Sequence, residues 1–199
     1  MAKTAYPTQS TSHIGRIRHR RNGAKPAKWA TNAATKSPTV ANTVEPASRP
    51  AECEANAVRK IVRLVARTGC RTHILHVSSG LSVDVLRRAK AEGLPVSAET
   101  CPHYLTIVAE EIPDGAVEFK CCPPIREASN RDLLWEGICD GTIDAIVSDH
   151  SPSTVELKRL GDGDFGLGWG GISGLQLGLA AVWTEAQQRN IPLSTVLPL

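Results

Sequence analysis

Two periods of apolar positions alternate along the chain from residue 58 onward. Val58, Ile61, Val62 and Val65 recur at i, i+3, i+4 and i+7, one face of a helix, with Pro50 ahead of them and Gly69 behind. "RTHILHVSS" (71–79) then predicts a short strand. Val85, Leu86 and Ala89 predict a second helix that stops at Gly93, and "LPVSAETC" (94–101) a second strand. Ser129 with Asp132 three residues on resembles a capping box opening the helix "RDLLWEGICD", which Gly141 closes. "TIDAIVSD" (142–149) is apolar enough for a third strand buried on both faces. A last helix passes through Leu175, Leu179 and Val182 to about Arg189.

Strands separated by helices of this length require parallel crossovers, so the body is an α/β fold, either an open doubly wound sheet or a (β/α)8 barrel. Both architectures collect ligands at the carboxyl ends of their strands. His76 ends the first strand, His103 follows the second, and Asp149 ends the third on the face shared by Ile143, Ala145 and Val147. His76 and Asp149 are metal-ligand types, although a lone strand-end histidine is as readily a hydrogen-bonded structural residue. His103 reads either as a substrate contact or as a capped loop residue, and Arg126 as an ion-pair partner or an anion binder. His73, on the opposite face from His76, reads as structural. The run "GDGDFGLGWGG" (161–171) matches G-x-G-x-x-G twice, but it does not directly follow a strand, so it suits a mobile loop over the strand ends better than a dinucleotide cradle.

Charge divides the chain. Residues 1–44 hold eight Lys or Arg and no Asp or Glu, while the remainder carries all 20 acids and is net negative, a split that the overall +3 conceals. Residues 1–47 therefore read as a basic, disordered tail with no sustained apolar period, and 48–199 as the folded domain. The tail fits an organelle transit peptide or a nucleic-acid-binding arm as well as a functionless extension, with nucleic acid ranked last because aromatics are few. No apolar run is long enough to cross a bilayer, and no h-region of a secretory signal is seen. Six cysteines without C-x-x-C spacing suit reduced, mostly buried thiols of a cytoplasmic protein. The adjacent Cys121 and Cys122 also allow a redox pair.

Five segments combine into a resemblance. "SRPAECEANAVRKIV", "HILHVSSG", "AETCPHYLT", "FKCCPPIREASNRDLLWEGICDGTIDAIVSDHSP" and "WGGISGLQLGL" follow one another in that order. Over residues 48–195 they resemble the later part of the allantoinases, within the cyclic amidohydrolases that include dihydropyrimidinase and dihydroorotase. The resemblance implies a metal-dependent TIM barrel that opens the hydantoin ring of allantoin to allantoate in purine catabolism, with two divalent metals, usually zinc. It implies that His76 and Asp149 are metal ligands and that Asp149 also moves the catalytic proton. It implies that Cys122 and Gly170 contact the substrate, and His103, from its position after the second strand, is the further candidate contact. The family also uses an H-x-H pair, a lysine and another histidine on earlier strands, and no two histidines of this chain are one residue apart. The expectation is therefore a partial barrel of about three βα units, exposing two sheet edges and an apolar inner face. Such a piece would be inactive alone and would associate with itself or with a complementing chain. The alternatives are a dihydropyrimidinase- or dihydroorotase-like hydrolase, or a non-catalytic partner of an amidohydrolase.

Overall fold

The computed structural model describes residues 47–160 and 162–199. The basic tail, with its import and nucleic-acid readings, lies outside the described residues apart from Ala47. Helix α1 (Ala51–Thr68) begins directly after Pro50 and ends where Gly69 turns left-handed at φ 68, its N–H returning to the Val65 carbonyl. Its buried stripe is Ala55, Val58 and Val65. Ile61 stays exposed, so the apolar stripe is narrower than the spacing predicted.

Strand β1 (Thr72–Ile74), helix α2 (Gly80–Ala91), strand β2 (Val96–Thr100), helix α3 (Pro102–Thr106), helix α4 (Ala128–Cys139) and strand β3 (Ala145–Ile146) follow in order. Short α5 (Val155–Lys158), α6 (Gly178–Gln188) and α7 (Leu193–Val196) complete the described part. The strands form one parallel sheet of order β1-β2-β3, with His73 beside Ser97 and Glu99 beside Ala145. The predicted α/β class with parallel crossovers is thus present. Val96, Ala98 and Thr100 are buried, and the core around them includes Leu86, Leu105, Leu134, Trp135 and Ile143. The Trp135 indole N–H donates to the Leu105 carbonyl at 3.0 Å, which ties α4 to α3.

Several local expectations fail for identifiable reasons. β1 stops at Ile74 because the backbone leaves the extended region, reaching φ 37 at His76. β3 has only two residues, both half-buried rather than enclosed on two sides; the Ile146 N–H pairs with the Leu199 carbonyl. The capping box is absent: α4 opens at Ala128, with Glu127 at the cap position two residues before Ser129, and its first N–H is taken by the Glu110 carboxylate at 3.1 Å. Asp132 instead pairs with Arg189 at 2.6 Å. The last helix starts at Gly178, so Leu175 lies ahead of it, and Leu175 and Leu179 are both exposed.

The open face of the sheet is polar rather than apolar. Alternation puts Ser97 and Glu99 opposite the buried side chains, and His73 bridges them, with Nδ1 2.7 Å from Ser97 Oγ and Nε2 2.8 Å from Glu99 Oε2. His73 is thus the structural residue expected. Exposed apolar side chains include Leu75 just past β1, Val155, Leu167 and Trp169, and the group Leu175, Leu177, Leu179 and Leu197. Only Cys101 and Cys121 are buried; Cys53, Cys70, Cys122 and Cys139 are exposed, contrary to the reading of mostly buried thiols. Among the described residues, no helix is long and apolar enough to cross a membrane.

Candidate metal centre

Each chemically interesting residue sits just past a strand. His76 lies two residues beyond β1, Cys101 directly after β2, His103 in the first turn of α3 and Asp149 three residues beyond β3. His76 and Asp149 share an uncommon backbone, with φ of 37 and 42. Non-glycine residues held in that region are strained by about 1–3 kcal/mol and concentrate at functional sites. The turn after β1 is fixed by Glu54 of α1. Its carboxylate accepts from the Ser78 N–H and hydroxyl and from the Ser79 N–H, at 3.2, 2.6 and 3.0 Å. Arg126 joins this network, donating to Ser78 Oγ at 2.9 Å and to the Arg49 carbonyl at 2.9 Å. Of the two roles open to Arg126, the structure gives it the structural one.

The ligand atoms of Cys101, His103 and Asp149 all lie within 4.8 Å of one another. His103 is only 4% exposed. Its Nε2 and the Nδ1 of His76 are buried without a hydrogen-bond partner. Burial pushes the His103 pKa down to about 4, the Asp149 carboxylate pulling it partly back and His76 pushing it further. Burial, then Asp149, Glu99 and Cys121, push the Cys101 thiol up. A neutral imidazole with a free nitrogen, a carboxylate and a thiol form a donor set that suits a divalent cation.

The titration of His103 has a consequence for stability. The fold binds this proton only near pH 4, whereas an unfolded histidine binds it near 6.5. Its contribution is complete above about pH 6.5 and is lost on acidification to about pH 4, because the unfolded chain gains a proton that the fold refuses. We expect the metal-free chain to lose on the order of 3 kcal/mol across that window. His103→Gln should flatten this part of a urea-midpoint against pH curve.

The second set of predicted contacts gathers on another segment. An added Cβ at Gly170 would lie 3.9 Å from the Cys121 Cα, which puts Gly170 beside the Cys121–Cys122 pair. The glycine run is anchored at several points rather than being a free lid. Buried Lys158 donates to the carbonyls of Val117, Glu118 and Lys120, and Lys120 donates to the Gly168 carbonyl at 2.7 Å. Trp169 N–H reaches the Leu157 carbonyl and Gly171 N–H that of Lys120. The first glycine of the run, Gly161, lies outside the described residues. At Gly171, φ is 118 and an added Cβ would meet the Ser151 carbonyl oxygen, two residues from Asp149. Gly171→Ala should lower the unfolding free energy by about 1–3 kcal/mol, read from urea denaturation.

The structure therefore brings His103 and Asp149, two of the residues marked from sequence, together with Cys101, places His76 beyond the end of β1, and leaves Cys122 and Gly170 as a neighbouring pair outside the metal-capable group. Cys101 was missed. Its signal was the C-x-H spacing of "TCPHY" at a strand end, passed over because an apolar setting favours an inert thiol.

No family model matches the chain. Among solved structures, a D-hydantoinase from Bacillus sp. AR9 superposes with a TM-score of 0.71 and 29% identity, over 78% of this chain and 35% of that one. The arrangement of the described residues thus resembles that of the hydantoinase-type amidohydrolases. Sequence narrows it further. The allantoinase of Streptomyces avermitilis is 61% identical over 127 residues, 64% of this chain and 28% of that protein. The allantoinase of Saccharomyces cerevisiae is 55% identical over 113 residues, 57% of this chain and 25% of that protein. Over its C-terminal part the chain is homologous to the allantoinases, and it spans about a quarter of the length of the relatives it matches.

Proposed function

We propose that this chain supplies the last three βα units of an allantoinase barrel, with the rim that binds metal and moves the proton when the hydantoin ring of allantoin is opened to allantoate. The observation that carries the reading is the meeting of His103 and Asp149 beyond the strand ends of a chain that is 61% identical to an allantoinase over 127 residues. His76 and Asp149 would hold the metal, zinc in this reading. Bound there, it would lower the pKa of water and polarise the ring carbonyl. Asp149 takes a proton from the attacking water and delivers it to the departing ring nitrogen, a double duty open to a carboxylate that faces both atoms. Buried His103 stays neutral and orients the polar edge of the ring, while Cys122 and the Gly170 backbone bound it from the neighbouring segment.

Two ligands do not complete a zinc site, which takes at least three protein groups. Catalysis in this reading also needs the H-x-H pair, the lysine and the further histidine, which these 199 residues do not supply. The test is complementation: the purified chain mixed with the part of the Streptomyces avermitilis allantoinase outside the matched residues. Allantoin should be hydrolysed by the mixture and by neither component alone. Turnover of dihydrouracil or dihydroorotate in place of allantoin, or no turnover from a stable complex, would refute the assignment.

A further inference from the structure

We infer that Cys101, His103 and Asp149 form a single-cation site with sulfur, nitrogen and oxygen ligands, which this chain fills with zinc or a similar thiophilic divalent metal without any complementing partner. The site shares Asp149 with the function proposed above and takes as a ligand His103, which orients the ring in that reading, so it describes the chain by itself and not the complemented enzyme.

Its geometry is close to what zinc requires. The three ligand atoms lie within 4.8 Å of one another. Bonds of about 2.3 Å to sulfur and 2.0–2.2 Å to nitrogen or oxygen place adjacent tetrahedral donors roughly 3.3–3.8 Å apart. A shift of about 1 Å or so, within reach of side-chain rotation, closes the site. Three protein ligands with one open position are an ordinary zinc coordination, and the thiolate and imidazole favour zinc or cobalt over magnesium or calcium.

Burial supplies the second argument. Cys101 is fully buried, and His103, 4% exposed, leaves Nε2 without a partner. An orphaned buried nitrogen disfavours the fold, and a cation would satisfy it. The scaffold is also set in place. Cys101 and His103 flank Pro102 at the β2–α3 corner, and α3 is tied to α4 through the Trp135–Leu105 bond. Asp149 comes from the constrained backbone beyond β3. On binding, the Cys101 S–H bond breaks, its proton passes to water and a metal–sulfur bond forms. The thiolate and the carboxylate then balance the two positive charges. The unpartnered Nδ1 of His76 is the candidate fourth ligand.

The test is titration of the purified 199-residue chain with cobalt(II), followed by absorption, and with zinc, followed by calorimetry. One cobalt per chain is expected, with a thiolate-to-cobalt charge-transfer band. Cys101→Ser should abolish that band, and both it and His103→Gln should weaken zinc binding at least about tenfold. Circular dichroism checks folding; if Cys101→Ser does not fold, the parent spectrum and His103→Gln decide. No bound cobalt, cobalt bound without the band, or a band that survives Cys101→Ser overturns the site. Zinc binding abolished by His76→Ala but unchanged in Cys101→Ser would place the cation on the His76–Asp149 pair and overturn this site alone. Failure of the complementation assay leaves the cobalt spectrum unaffected, so the two readings fall separately.

Discussion

Asp149→Asn is expected to lower allantoin hydrolysis by the complemented enzyme by about 10²–10⁴-fold, the range lost when a positioned proton carrier is removed. Asparagine keeps the shape and tolerates a left-handed backbone, so the φ of 42 is no obstacle to folding. It cannot accept the water's proton, and it is a poorer ligand. The loss should fall on kcat, with the melting temperature of the metal-free chain nearly unchanged. A variant that keeps more than about a tenth of the parent rate would remove Asp149 from proton transfer. His103→Gln offers a contrast: as an orienting residue, it should raise KM more than it lowers kcat.

Trp135→Ala carries the largest expected effect on stability. The side chain is 2% exposed in the main core, its N–H satisfies the Leu105 carbonyl, and the Arg189 guanidinium lies 5.6 Å from its ring centroid. Truncation leaves a cavity and an unpaired buried carbonyl together, which should lower the unfolding free energy by about 3–5 kcal/mol. Urea denaturation at pH 7 measures it. Because the same bond ties α4 to the helix that carries His103, zinc affinity should weaken as well. Trp135→Phe restores most of the volume but not the donor, so its loss should be smaller, about 1–3 kcal/mol. An alanine variant as stable as the parent would mean that this ring does not organise the core.

What could be read directly from the residues was the periodic part. α1 starts and stops at Pro50 and Gly69, where the spacing put it, because both act through their own backbone and need no tertiary partner. That His76 and Asp149 lie just past strands was legible because a strand end fixes a location before any contact is known. Tertiary context decided the rest. Ser129 and Asp132 carry a valid capping pattern, yet Glu110, distant in sequence, supplies the acceptor and the helix opens earlier. The apolar content of 142–149 suggested a full central strand, but only two residues pair with β2. Cys101 became a candidate ligand only once folding set it beside Asp149, a proximity that no local spacing encodes.

The conformations of His76 and Asp149 bear on how the sequence would change over time. A glycine at either position would relax the backbone and strengthen the fold by roughly 1 kcal/mol. A lineage with no further use for the rim therefore has a downhill route to erasing it, and each such step should show up as a higher melting point with weaker zinc uptake.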